Sequence, residues 1–349
     1  MKNKIKLFCI IAIAAVIGFS ITACDGIGVN DGDEENSNNS NGNNGGNNSN
    51  GGNSGNSSWT GTTRVLDSSI NVLTIAWGNN MFVAGTQVGR IAYSPDGINW
   101  TRVANEDNPF NITSNLNLIA NSGIWAFAWG SNKFVVSRGS RMAYSADGKS
   151  WTAVPDSTFT STIMGIAWGN NKFVAGGHDG KMAYSADGIS WTPVTNSTFG
   201  TDSIYGIVWA NNKFTAVGGK GKIAYSADGI NWNSAADSKF GDSNIRCIAW
   251  SGSRFVIGGY DNKMSYSSDG INWTAVEDTK FDSYLHDIRS IAWGSNRFIA
   301  VSGSGTMTYS SDGINWTEFK SSIGKWCVVW GGNKFVSGSD SGRIGYWQP

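Results

Sequence analysis

The chain has 349 residues, with 26 Lys+Arg balanced by 26 Asp+Glu and two His, so its formal charge is zero. That balance argues against an electrostatic partner such as DNA, RNA or an anionic membrane surface, and no nucleic-acid partner is expected. Only 15% of residues are charged, against 46 Gly, 17 Trp and 5 Pro, a composition poor for helices and suited to short strands joined by tight turns.

Lys2, Lys4 and Lys6 precede an apolar run, Leu7 to Ile21, that ends in Ile21-Thr22-Ala23-Cys24. A basic start, a short apolar core and small residues before the cut describe a secretory signal over residues 1–23. Ending on Cys, it resembles the bacterial lipoprotein signal, and the resemblance implies lipidation of Cys24 after cleavage. The alternative, a transmembrane helix, is weakened by length, because a bilayer needs roughly 20 apolar residues.

Residues 36–58 are only Asn, Ser and Gly. Such a segment has nothing to bury, and residues 24–58 read as a lipidated Cys and a tether. The expected location is the bacterial cell envelope, anchored through lipid and facing the periplasm or the cell surface. Asp25 resembles a retention signal for the inner membrane of some bacteria, and the choice of membrane stays open.

From residue 59 to 349 the chain repeats itself. An Ala-Trp-Gly-like segment recurs at Trp77, Trp129, Trp168, Trp209, Trp250, Trp293 and Trp330, spaced 52, 39, 41, 41, 43 and 37 residues apart. Each copy continues into a Phe-containing run (Phe82, Phe134, Phe173, Phe214, Phe255, Phe298, Phe335) and then into a Tyr-Ser-like strand (Tyr93, Tyr144, Tyr184, Tyr225, Tyr266, Tyr309, Tyr346). Six copies then read Ser-X-Asp-Gly-X-X-Trp, ending at Trp100, Trp151, Trp191, Trp232, Trp273 and Trp316. Apolar alternation between Gly- and Asn-bearing turns gives four short antiparallel strands per copy, a to d. The fold class is therefore all-β, a seven-bladed β-propeller of four-stranded antiparallel blades, with a linear solenoid as the alternative.

The chain ends favour a ring. Tyr346 follows Trp330 by 16 residues, as Tyr93 follows Trp77, so the seventh copy stops after strand c. Trp59 precedes Trp77 by 18 residues, the spacing of Trp191 to Trp209. The N-terminal segment thus supplies the strand d that the last blade lacks, and closure removes exposed sheet edges.

The Ser-X-Asp-Gly-X-X-Trp turns resemble the Asp-box (BNR) repeat of sialidase-like propellers, with one residue fewer between Asp and Gly than the common form. The resemblance implies that Asp96, Asp147, Asp187, Asp228, Asp269 and Asp312 cap their own turns, that Gly takes positive φ and that Trp packs into the blade. These six Asp are read as scaffold, since catalysis does not need six copies of one site. Cys247 and Cys327 stand three residues before their strand-a Trp. A whole blade separates them, so free buried thiols are expected rather than a disulfide.

No catalytic set stands out. Sialidases clamp a carboxylate with three Arg, but Arg90, Arg141 and Arg343 share a repeat position with Lys181, Lys222 and Lys263, which reads as a solvated flank of strand c. Glycosidase chemistry needs two placed carboxylates and metal binding needs clustered ligands. His178 and His286 stand alone, there is no phosphate loop, and no cofactor or metal is expected. The favoured reading is a membrane-tethered, non-catalytic binding or scaffold propeller recognising a glycan or protein. The alternative is a carbohydrate-active hydrolase of the sialidase-like superfamily.

Resemblance to such propellers places the Asp turns on one face and the d-to-a and b-to-c loops on the other, which usually holds the site. Four residues before each strand-a Trp the repeat breaks, giving Leu73, Trp125, Met164, Tyr205, Arg246, Arg289 and Trp326. The b-to-c tips vary too: Gln87, Arg138, His178, Lys220 and Tyr260. Aromatic rings with Arg stack on sugars or anchor protein contacts. Trp125, Tyr205, Arg246, Arg289 and Trp326, with Arg138, His178 and Tyr260, are therefore the candidate ligand-binding residues. The competing expectation is that they only plug the channel mouth. The long connection Thr101 to Ile124 could form a lid beside Trp125.

Overall fold

The computed structural model describes residues 59–64, 70–110, 123–281, 287–319 and 324–349. Cys24, the signal segment, the tether, His286 and half of the Thr101–Ile124 connection lie outside the described residues.

Seven four-stranded antiparallel sheets form the domain. In blade 3 the strands are a (Ile163–Gly169), b (Lys172–Gly177), c (Met182–Ser185) and d (Thr192–Pro193), and the other blades repeat the pattern. Strand d is only two residues long in blades 1 to 5, so the outer rim offers little edge for another chain to pair with. Blade 7 takes its strand d from the N-terminal side: Thr60–Arg64 pairs with Arg343–Trp347, with Thr60 opposite Tyr346. The sheet order is therefore Thr60–Arg64, then c, b and a of the last blade. This closes the ring as the spacing of Trp59 predicts.

Each blade buries its strand-b Phe completely, at 0% exposure from Phe82 to Phe335. The strand-a Trp lies 4.2–4.7 Å, centroid to centroid, from that Phe. The residue after the Trp is Gly in five blades, Ala210 and Ser251 taking the place in blades 4 and 5, and where it is Gly there is a packing reason. A Cβ on Gly130 would lie 2.1 Å from Trp168 Cγ, and one on Gly169 would lie 2.0 Å from Trp209 Cγ, in the next blade. The recurrent Ala-Trp-Gly is therefore an interblade contact as well as a strand.

The six Asp turns have one geometry. In the first, Asp96 Oδ1 accepts from the backbone N–H of Ile98 (2.8 Å) and Asn99 (2.7 Å), while Ser94 Oγ accepts from Gly97 N (2.8 Å). The turn glycines lie at φ of 71 to 74°, the left-handed region that Gly enters without a Cβ penalty. Trp151, Trp191, Trp232, Trp273 and Trp316 are buried behind these turns. Blade 7 carries Trp347 opposite Phe335, where blade 1 pairs Ser94 with Phe82. Trp347 stacks on Phe335 with ring planes 11° apart, at the register position where Ser94 opens the Asp turn of blade 1. Cys247 and Cys327 are both buried and are not joined to each other.

Candidate functional site

The repeat-breaking position is a β-bulge. In blade 3 the pairing jumps from Ile163 opposite Gly177 to Gly165 opposite Gly176, leaving Met164 without a partner residue. The same shift brackets Leu73, Trp125, Tyr205, Arg246 and Arg289. A bulged residue is turned out of the alternation of its strand, and here it is turned toward the propeller axis. Leu73, Trp125, Met164, Tyr205 and Trp326 come from five different blades yet form one buried cluster. Arg246 joins them over the Tyr205 ring at 4.9 Å, and Arg289 over the Trp326 ring at 3.9 Å. The six bulged residues, with Trp326 just before strand a of blade 7 (Cys327–Gly331), thus converge in a plug across the channel.

The plug sits at one end of the ring. Strand a begins opposite the end of strand b, so the bulges share a face with the b-to-c tips and the d-to-a loops. The a-to-b hairpins and the Asp turns take the opposite face.

Around the axis the plug is uneven. Blades 1 to 4 supply Leu73, Trp125, Met164 and Tyr205, whereas blades 5 to 7 supply Arg246, Arg289 and Trp326 with a charged rim. Arg246 is 2% exposed; its guanidinium bonds the Tyr260 hydroxyl, pairs with Asp287 at 3.4 Å and lies over the Tyr260 ring at 4.4 Å. Arg289 Nη1 donates to the Lys325 carbonyl (3.4 Å). Asp340 accepts from Trp326 Nε1 (2.5 Å) and pairs with Lys325 Nζ at 2.9 Å. Burial alone pushes the Asp340 carboxyl up, but the hydrogen bonds from Lys325 and Trp326 and the nearby positive charges outweigh it and hold the group below its ordinary value. A carboxylate held ionised in this way is poorly placed to act as a general acid.

The structure brings Trp125, Tyr205, Arg246, Arg289, Trp326 and Tyr260 into one constellation and leaves two candidates apart from it. Arg138 is 4% exposed and donates through Nη1 to the Phe110 carbonyl at 2.7 Å. It ties down the start of the long connection before Trp125, and burial lowers its pKa. His178 opens a single 3-10 turn, His178–Gly180, at the tip of blade 3. Arg141, Lys181 and Arg343 are exposed and Arg90, Lys222 and Lys263 half-buried, as a solvated flank requires. Among the described residues no group of His, Cys, Asp and Glu is placed to hold a metal ion.

Three residues of the rim escape sequence reading. Asp340 stands five residues after Phe335, the register of Gln87, His178 and Tyr260 after their own Phe, so carrying the tip register through to blade 7 finds it. Asp287 and Lys325 have no such marker; their carboxylate and amine matter only once Arg246 and Asp340 are placed beside them. A further repeat was also legible: Phe159, Phe199, Phe240 and Phe281 recur at 40, 41 and 41 residues. Each follows an Asx turn in the d-to-a connection, as where Lys239 N donates to Asp237 Oδ1 at 2.8 Å. These turns fasten the connections to the tips; Ser197 Oγ, for instance, donates to the Gly180 carbonyl at 2.6 Å.

Two comparisons find likenesses to known proteins. A family model of the DUF6242 beta propeller domain matches residues 94–253. Among solved structures, YCF48 from Cyanidioschyzon merolae is 16% identical over 84% of this chain and 99% of its own, with a TM-score of 0.60. A structure of YCF48 bound to D1 peptide is 14% identical over 83% of this chain and 95% of its own (TM-score 0.60). A GH74 enzyme of Niastella koreensis is 15% identical over 80% of this chain but 43% of its own (TM-score 0.53). At these identities the likeness is one of fold. No curated protein matches the chain in sequence.

Proposed function

We propose that the chain is a lipid-tethered β-propeller of the bacterial cell envelope that binds a glycan or protein ligand, without catalysis, at the axial mouth opposite the Asp turns. The observation that carries this reading is the seven-fold axial position. The repeat is free to vary there, and in blades 5 to 7 it has placed two Arg and a Trp beside a half-exposed rim of Asp287, Lys325 and Asp340. A plug that only had to fill space would be served by Leu or Met, as in blades 1 and 3; buried charge carries a cost that packing alone does not require.

The finer assignments follow from the sequence: the Asp-box character of the turns, Cys24 as the lipid site, and a tether that holds the ring off the membrane. The likeness to a propeller solved with a bound peptide supports a binding role on this scaffold. The likeness to a GH74 propeller keeps the hydrolase alternative worth one assay, although the ionised Asp340 fits poorly with a proton donor. The test is to screen the detergent-solubilised full chain against fluorogenic glycosides and, in parallel, against glycan and peptide arrays. Retention of a ligand with no turnover is expected; turnover that survives repurification would overturn the reading.

A further inference from the structure

A second recess lies away from the axis, on the outer wall between blades 5 and 6. It is a cleft of about 370 Å³, at the small end of the roughly 300–1,000 Å³ that ligand clefts occupy. Blade 5 supplies Tyr266 from strand c (Met264–Ser267), Thr274 and Ala275 from strand d, and Glu277 from the connection that follows. Blade 6 forms the other side with Ile314, Asn315 and the buried Trp316 of its Asp turn.

The repeat register shows what is missing at this junction. Four residues after the strand-d Trp, Ala236 of blade 4 donates its backbone N–H to the Ile271 carbonyl of blade 5 at 3.1 Å. Glu277 stands at the same place after Trp273, and Ile314 matches Ile271. Among the described residues no such bond joins Glu277 to Ile314; the pair that would bridge the junction lines the cleft instead.

The lining mixes apolar carbon with hydrogen-bonding groups. Ile314, Ala275 and the Tyr266 ring give a carbon surface, and Arg254 lies over that ring at 5.2 Å. The Tyr266 and Thr274 hydroxyls and the Glu277 carboxylate make no hydrogen bond or ion pair among the described residues. Asn315 spends its amide on Asp312 (Nδ2 to Oδ2, 2.8 Å), which leaves its Oδ1 as an acceptor. Neighbouring Asp278 and Lys280 are taken up by each other: the Lys280 amine pairs with the Asp278 carboxylate, and Lys280 N donates to Asp278 Oδ1 at 3.1 Å. A sugar ring has the matching pattern, with C–H faces that rest on apolar carbon and hydroxyls that donate to carboxylate and amide oxygens.

We infer that the cleft between blades 5 and 6 binds a neutral pyranose, as a mono- or disaccharide unit of a glycan. Glu277 and Asn315 Oδ1 accept from its hydroxyls, and its C–H face rests on Ile314 and Ala275. The site is separate from the axial mouth and does not rest on it. For so small and open a cleft the affinity is on the order of millimolar, too weak to hold a ligand on an array.

The experiment is saturation-transfer NMR on the detergent-solubilised full chain. The probes are methyl glycosides of glucose, galactose, mannose and N-acetylglucosamine, with cellobiose and chitobiose; sorbitol and spermidine serve as controls. Transfer to the C–H protons of at least one pyranoside is expected, unchanged as salt is raised, because the ligand is neutral. Glu277→Gln should weaken that sugar by about fivefold to tenfold, as for a lost hydrogen bond to a charged group. Ala275→Trp fills the cleft and should abolish binding. Both positions are exposed, and an unchanged melting temperature checks that the ring is intact. Thr274→Val, which removes one hydroxyl without filling the cleft, should weaken the sugar too. Transfer to no pyranoside overturns the inference, and transfer to spermidine alone makes the cleft a cation site and overturns it. Pyranoside binding that survives both Glu277→Gln and Ala275→Trp puts the sugar elsewhere and overturns it as well.

Discussion

A Cβ on Gly331 would lie 2.4 Å from Trp77 Cγ. Gly331 ends strand a of the seventh blade and Trp77 belongs to strand a of the first, so the contact that joins successive blades is also made across the seam. The ring is closed twice over, by this packing on the inside and by Thr60–Arg64 on the rim.

Gly331→Val should therefore overpack the seam and cost about 1–3 kcal/mol, read as a lower chemical-denaturation midpoint. Deleting residues 59–65 should lower the melting temperature strongly, while deleting residues 36–56 should not. Equal effects of the two deletions would argue against closure.

A polar latch crosses the same seam. Lys334 Nζ donates to the Asp96 carbonyl at 2.7 Å and lies 5.9 Å from the Tyr346 ring centre. Lys133 to Asp187 and Lys213 to Asp269 repeat the latch between other blades. Lys334→Met keeps the stem and removes the donor; it should cost about 1.5 kcal/mol, as for a hydrogen bond from a charged group. The measurement is equilibrium unfolding of the variant beside Lys133→Met, and no loss in either would show the latch to be without weight.

The Asp turns set an acid limit. Burial opposes ionisation of Asp96, Asp228, Asp269 and Asp312, but donors from the turn backbone, from Asn and from Ser outweigh it and depress each pKa well below its ordinary value. A folded-state pKa below the unfolded one contributes stability that is complete above the unfolded value, about 4, and is lost as pH falls toward the folded value. Thermal stability should thus be flat from neutral pH to about 5 and decline below about 4. Asp269→Asn should be less stable at neutral pH and show a shallower decline on acidification. A parallel decline would remove the turn carboxylates from the account.

Labelled palmitate should enter the wild-type chain and not Cys24→Ser. Equal labelling of the two would sink the lipid anchor.

Much of the ring was legible because its determinants are periodic. Trp77 to Trp330 mark strand a, Asp96 to Asp312 mark the c-to-d turns, and Trp59 marks the borrowed strand. The candidate site was half legible. The residue four before each Trp breaks the repeat visibly, but nothing in the sequence says that Met164 or Arg246 sits in a bulge. Strand alternation alone would send such a residue to a blade face rather than to the axis. Bulging depends on hydrogen-bond register with strand b, which side-chain identity does not encode. For the same reason Asp287 and Lys325 became visible only when blades 5, 6 and 7 were set side by side. The bulge also changes which variants are informative. Trp125→Ala with Trp326→Ala, the pair suggested by register, empties the plug and costs about 3–5 kcal/mol for each buried Trp, so the rim residues are the cleaner probes.

The central claim is that ligand binds at the axial mouth on the face opposite the Asp turns. Hydrogen–deuterium exchange of the full chain, with and without the tightest ligand retained from the glycan and peptide arrays, tests it most directly. Protection is predicted around Tyr260, Asp287–Arg289, Lys325–Trp326 and Ser339–Gly342, with the Asp turns unchanged. Protection at the turns around Asp96 to Asp312, with the mouth unaffected, would contradict it.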